Sequence, residues 1–219
     1  MSRPPFPSWR PVAHLAAALA VLLLAGRVDA AEAPDPWRTL EAVRQALASG
    51  GPLRSDFVQT FTPAGFSSGE TESGRLAVAM PDCLRWDYLV PYAKSYLICG
   101  TRAFSWVEGE PRGQRISIDP DRETGLDLLL LSVEALQRRY RATASVRPGG
   151  EIDLSFEPLD DSAQLVAASL AVSGPDSWPV ALDYRDREDN VTGFRFTDWR
   201  PLDQPDAFSP PPHVEWQEP

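Results

Sequence analysis

Histidine is almost absent from this 219-residue chain, which holds only His14 and His213. Without histidine, the usual base of a nucleophile–base pair is missing, and so is the commonest metal ligand. His213 stands alone in Pro210-Pro211-Pro212-His213-Val214, so a hydrolase built on it is a poor reading. Cysteine is equally scarce, with two residues, Cys83 and Cys99. A thiolate-rich metal cluster is thereby excluded, and no His/Asp/Glu group shows ligand spacing either. Basic side chains number 21 against 31 acidic ones, giving a formal charge of −10. Nucleic acid would be repelled by that balance. No Gly-rich loop follows a strand and opens a helix, and no segment recurs at a fixed period. The paired carboxylates (Asp160 with Asp161, Glu108 with Glu110, Asp183 with Asp186) all fall in turn-like sequence. The residues offer no catalytic group, no metal site and no cofactor site.

Long apolar runs are also missing, with one exception near the start. Arg3 and Arg10 precede the run Leu15 to Ala25, which ends at Gly26-Arg27-Val28-Asp29-Ala30. A basic flank, an apolar stretch of about a dozen residues and an Ala-type cleavage site make a secretory signal peptide. The stretch is shorter than the about 20 residues that a membrane span needs. Residues 1–30 are therefore read as a cleaved signal peptide and 31–219 as a single domain. Arg27 stands where a lipoprotein signal would place cysteine, so the expectation is an exported, non-lipidated, periplasmic protein. Cleavage removes Arg3, Arg10, Arg27 and Asp29, which takes the formal charge from −10 to −12. In an oxidising compartment two cysteines pair by default.

What the chain does have is alternation. Leu84, Trp86 and Tyr88 alternate with Cys83, Arg85 and Asp87, as on a strand with one buried face. Pro91 marks the turn that follows, and Tyr96 and Ile98 alternate with Leu97 and Cys99. Cys83 and Cys99 lie almost symmetrically about that turn, so they face each other if the register is right. Leu53 to Phe61 predicts another strand, Thr62 to Ser73 a solvated loop, and Gln114 to Ile118 a short strand. Trp37 to Ala48 predicts an amphipathic helix stopped by Gly50-Gly51-Pro52. Leu126 to Tyr140 predicts two short helices, the second capped by Ser132, with Arg138, Arg139 and Arg141 at its solvated end. From Ala142 onward strands and turns return, and the tail to Trp216 predicts an edge or closing strand. About ten strands and three helices give a mainly β (α+β) fold. Its antiparallel sheet curls into a half-open β-barrel around a helical lid or plug.

The segments then show a resemblance. Ser55-Asp56-Phe57-Val58-Gln59-Thr60-Phe61 resembles the first strand of LolA-like periplasmic lipoprotein carriers. Gly74-Arg75-Leu76 through Pro81, Leu84-Arg85-Trp86, the Pro91 turn and Gly100 to Trp106 resemble that family's central signature. Asp189 to Phe196 and Phe208 to Val214 resemble its C-terminal half. The resemblance implies a monomeric carrier that binds acyl chains of lipoproteins, or a related lipid, in an apolar cavity. The carrier would run from inner-membrane release machinery to an outer-membrane receptor. On that view Phe57, Leu76, Val78, Leu84, Trp86, Tyr88, Ile98 and Phe104 line the cavity, and Leu128, Leu129, Leu130 and Leu131 form the lid. The family typically has arginine before the proline that is Pro81, and here Met80 stands there. A glycolipid carrier in a dedicated pathway, and a lipid- or envelope-stress-sensing adaptor of the same fold, are the alternative readings.

Overall fold

The computed structural model describes residues 33–118, 127–161, 163–174, 176–204 and 206–218. The signal-peptide reading of residues 1–30 lies outside the described residues, as does Leu126 at the start of the expected helices. Helix α1 (Pro36–Ala48) starts where Asp35 accepts from Trp37 N and Arg38 N, with proline as its first residue. Those are the free N–H groups that an N-cap satisfies. Leu40, Val43 and Leu47 form its buried stripe. Its apolar spacing, not its propensity, holds it in place.

A meander follows: β1 (Leu53–Thr62), β2 (Glu70–Ala79), β3 (Cys83–Val90), β4 (Lys94–Cys99), β5 (Arg102–Val107) and β6 (Arg112–Ser117). Then come α2 (Asp127–Leu130) and α3 (Val133–Gln137), β7 (Tyr140–Val146), β8 (Ile152–Pro158), β9 (Leu165–Val172), β10 (Pro179–Asp186), β11 (Val191–Pro201) and β12 (Glu215–Gln217). The described strands join in one sheet, ordered β12-β6-β5-β4-β3-β2-β1-β11-β10-β9-β8-β7. The ends of that order, β12 and β7, do not pair with each other, so the sheet curls without closing. Among the described strands, β12 alone runs parallel to its neighbour, β6. The β1–β2 loop is shorter than its polar composition suggests, since Glu70 to Ser73 pair with Val58 to Phe61. Alternating β-ladder bonds win there over Gly/Ser content. The arginine group is not one helix end. Arg138 caps α3, whereas Arg141 lies on β7 beside Glu157.

Pairing fixes which face each side chain takes. Cys83 sits opposite Cys99 and the two are bonded. Both share a face with Arg85, Asp87 and Leu97, the convex face of the sheet. The residues between them point the other way, and Phe57, Leu76, Val78, Leu84, Trp86 and Tyr88 pack on the concave side. There they meet Leu40, Val43 and Leu47 of α1, Leu128 and Leu129 of α2, and Leu136 of α3. The helices thus fill the trough of the sheet. At Gly74 the β2–β3 register slips, and a side chain there would collide with Asp87 O at 1.9 Å. Glycine lets the two strands approach closely at this bulge, which sharpens the curl.

A second, smaller core lies on the convex face. Leu97, Phe104 and Trp106 pack there against Val214, with Phe208 and Trp216 beside them. The C-terminal segment, after its run of prolines, lies across the back of β4–β6 and ends as β12. Gly113 makes room for it, since a Cβ would sit 2.6 Å from the Trp216 ring.

Candidate ligand cavity

Beyond the helices, the concave faces of β3–β6 remain uncovered and bound a cavity of about 610 Å³. The register explains its wall. Trp86 pairs with Tyr96, Tyr96 with Ser105 and Ser105 with Gln114. One rung away, Ile98 pairs with Ala103 and Ala103 with Ile116. Tyr184 and Phe194 complete the lining from β10 and β11, and Gln59 from β1. The side chains in the middle of the wall, Ala103 and Ser105, are small, and that is where the space comes from. The volume lies in the range of small-ligand sites.

The residues expected at the cavity divide into three groups. Trp86, Tyr88 and Ile98 line it. Phe57, Leu76, Val78 and Leu84 are sealed into the closed core beneath the helices. Phe104 borders the space, but its ring faces the other way, 5.1 Å from the Trp216 ring and nearly perpendicular to it. One residue decides this: Phe104 pairs with Leu97, on the convex face, whereas Ala103 pairs with Ile98. Phe104 therefore meets the space from its backbone side while its ring joins the convex cluster. The larger apolar members that the sequence did not single out are Tyr96, Ile116, Ile118, Tyr184 and Phe194. Alternation with Ile98 was a usable signal for Tyr96. Nothing local places Tyr184 and Phe194 beside β4, because the approach follows from the curl.

The lid leucines also divide. Leu128 and Leu129 are fully buried in the main core, and Leu130 and Leu131 are half-buried against it. Arg44 of α1 donates from Nη1 to the Leu129 carbonyl at 2.8 Å. Burial lowers the Arg44 pKa, an effect opposed by the nearby Glu41 and Glu134. Ser132 caps α3 by accepting from Ala135 N. Met80, at the position where the family arginine would stand, packs against the core.

Polar groups are few but placed. Tyr88 donates its hydroxyl proton to Gln59 Oε1, and Lys94 Nζ sits 4.7 Å from the Tyr88 ring centre while bound to Glu72. Trp86 Nε1 is buried without an acceptor among the described residues. Burial, reinforced by Glu72, Tyr96 and Tyr184, pushes the Tyr88 pKa well above its ordinary value. Burial also raises Tyr184, and Asp186 adds to this, while a hydrogen bond with Thr192 works against it. In the native state these two phenols hold protons that the unfolded chain releases above about pH 10. Stability therefore falls as pH rises through and beyond that value. An ultraviolet titration is expected to show Tyr88 and Tyr184 ionising above the ordinary phenol range, and Tyr88→Phe should remove part of the alkaline loss.

Among the described residues no group of three or more His, Cys, Asp or Glu could hold a metal ion. His213 is exposed, and the Ser95 hydroxyl in the same hollow is committed to Asp87 at 2.6 Å. No described helix is long and apolar enough to cross a membrane.

Taken together, the fold and cavity are those of an open β half-barrel, plugged by helices on one side and carrying an apolar chamber on the other. A family model described as outer membrane lipoprotein carrier protein LolA matches residues 52–209, and the chain belongs to that family. An outer-membrane lipoprotein carrier protein of Chromobacterium violaceum is 35% identical over 94 residues, covering 42% of this chain and 44% of the relative. The chain thus spans less than half the length of that relative. An uncharacterized conserved protein from Thermus thermophilus has the same fold, with a TM-score of 0.54 at 12% identity, over 83% of this chain and 98% of the other. A LolA superfamily protein from Nitrosomonas europaea aligns over 83% of this chain and all of its own, at 11% identity and a TM-score of 0.47.

Proposed function

We propose that this protein is an exported carrier that takes acyl chains of a lipoprotein, or of a related lipid, into the half-barrel. It moves them through the periplasm and releases them toward the outer membrane, with no covalent chemistry. The observation that carries this reading is the cavity of about 610 Å³ between Trp86, Tyr88, Ile98, Ile116 and Phe194. It continues the aromatic core where the helices stop. Each methylene buried there gains about 0.8 kcal/mol. That matches what the chain gives up on leaving a bilayer, so transfer in either direction needs little net driving force.

Residues 1–30 would be removed on export, leaving residues 31–219 as the carrier domain. The leucines of α2 occupy the trough next to the chamber, so their withdrawal would enlarge it for a second or third chain. Release machinery at the inner membrane and a receptor at the outer membrane would act by moving that plug.

Native mass spectrometry of the protein taken from the periplasm, followed by organic extraction, tests the cargo. Acylated peptide or phospholipid near one equivalent supports the proposal. An empty protein that also fails to take up a fluorescent acyl probe overturns it. Ala103→Trp places an indole in the chamber at its small-residue rung. It should weaken probe binding by about tenfold or more, the scale of losing a few buried methylenes, with little change in the unfolding midpoint. Unchanged probe binding in this variant would place the acyl chains elsewhere.

A further inference from the structure

On the convex face, away from the chamber, the structure carries a polar hollow of about 360 Å³. Its floor is Ala77, which pairs with Arg54 on one side and Arg85 on the other. Arg75 is the diagonal neighbour of both, and Leu202, Gln204, Asp206 and Ala207 border the space. Three arginines thus converge around one alanine on a chain whose net charge is strongly negative. Two other arginines on that face, Arg200 and Arg85, have acidic partners. Arg200 lies 3.4 Å from Asp56 and beside Asp198. Arg85 binds Asp87 through Nε at 2.9 Å, donates to the Ala207 carbonyl at 2.9 Å and stacks over Trp106.

Arg54 and Arg75 are not matched among the described residues. Arg54 Nε is buried and has no hydrogen-bond partner. Arg75 faces Asp56 across the β1–β2 ladder and Asp87 across the β2–β3 ladder, but Asp56 is held by Arg200 and Asp87 by Arg85 and Ser95. A guanidinium that loses water without gaining an acceptor is destabilising, and proteins rarely keep one idle. Planar guanidinium forks suit bidentate oxyanions. Among the described residues, the one acid at the rim with no ion pair is Asp206, which is exposed.

We propose that this hollow is a binding site for a phosphate-type oxyanion, held between Arg54 and Arg75 and separated from the acyl chamber by the sheet. Two uncompensated cations call for a dianion, and the polar walls and small volume exclude an acyl tail. The phosphate could be free or the monoester headgroup of a lipid at a membrane surface. It cannot belong to a lipid whose chains fill the chamber, because the sheet lies between.

The test is calorimetric titration of the whole exported protein with inorganic phosphate, against chloride at matched ionic strength. Flotation with phosphatidylcholine vesicles, with and without phosphatidic acid, forms a second arm. Saturable phosphate binding is expected, weakened about tenfold in Arg54→Gln and in Arg75→Gln and tightened in Asp206→Asn. Arg75 is exposed, so its variant keeps the test valid if Arg54→Gln folds poorly. Binding of free phosphate alone identifies a small anion, and flotation that needs phosphatidic acid and Arg75 identifies a headgroup. No binding in either arm, or binding that both arginine variants retain, overturns the proposal.

Discussion

Trp86→Ala is expected to lower the unfolding free energy by about 3–5 kcal/mol, the cost of emptying a large aromatic site. Trp86 is the hub of the concave core, with ring centres 4.9 Å from Phe57, 4.7 Å from Phe194 and 6.0 Å from Phe196. Those three rings come from β1 and β11, so the tryptophan ties the first meander to the last hairpin. It also forms the partition between closed core and open chamber, because it belongs to both. Removing it joins the two spaces, and the little surrounding structure that could collapse is aromatic and rigid. Trp86→Phe should cost far less, about 1 kcal/mol, because it keeps a ring in place and deletes an N–H that has no acceptor. Chemical denaturation of the two variants checks this. Equal losses in both would show that the indole, rather than ring packing, is what the core requires.

Arg44→Leu is expected to loosen the plug without unfolding the sheet. α2 has four residues, too short to persist by itself, and its last carbonyls have no helical partner. Arg44 supplies one, at Leu129, from a helix far away in sequence. Hydrogen bonds from a charged donor contribute about 1.5–3 kcal/mol. The bond is only part-buried, so solvent screening brings the latch to the low end of that range, about 1–2 kcal/mol. Amide exchange across residues 127–137 should therefore speed up by about tenfold in Arg44→Leu, while the strands of the meander keep their protection. Arg44→Lys keeps the charge but not the fork, and should fall between the two. If exchange is unchanged, the buried leucines hold the plug unaided. Met80, before Pro81, has no donor to offer the plug and packs against the core.

The sequence by itself determined the strands of the meander, the first helix, the two short helices and the cysteine pair. Each depends on neighbours in the chain: alternation over six to ten residues, an N-cap before an apolar stripe, or a turn midway between two thiols. The scarcity of histidine and the lack of ligand spacing set the expectation of binding without catalysis. Legibility stopped where distance along the chain stopped being informative. Alternation states that a strand has two faces but not which face meets the trough, and both faces of β5 carry apolar residues. Phe104 and Trp106 are buried as well, yet their rings are covered by the tail. Only tertiary structure decided that the tail from Phe208 to Trp216 would cover the back of β4–β6. Only the curl of the sheet brought Tyr184 and Phe194 to the chamber, and only docking of α1 carried Arg44 to Leu129. The same long-range pairing collected Arg54, Arg75 and Arg85 around Ala77. In a linear reading they are three unrelated arginines on three strands. Register converts them into one charged site, because strands that pair place their side chains a few ångströms apart whatever their separation in sequence.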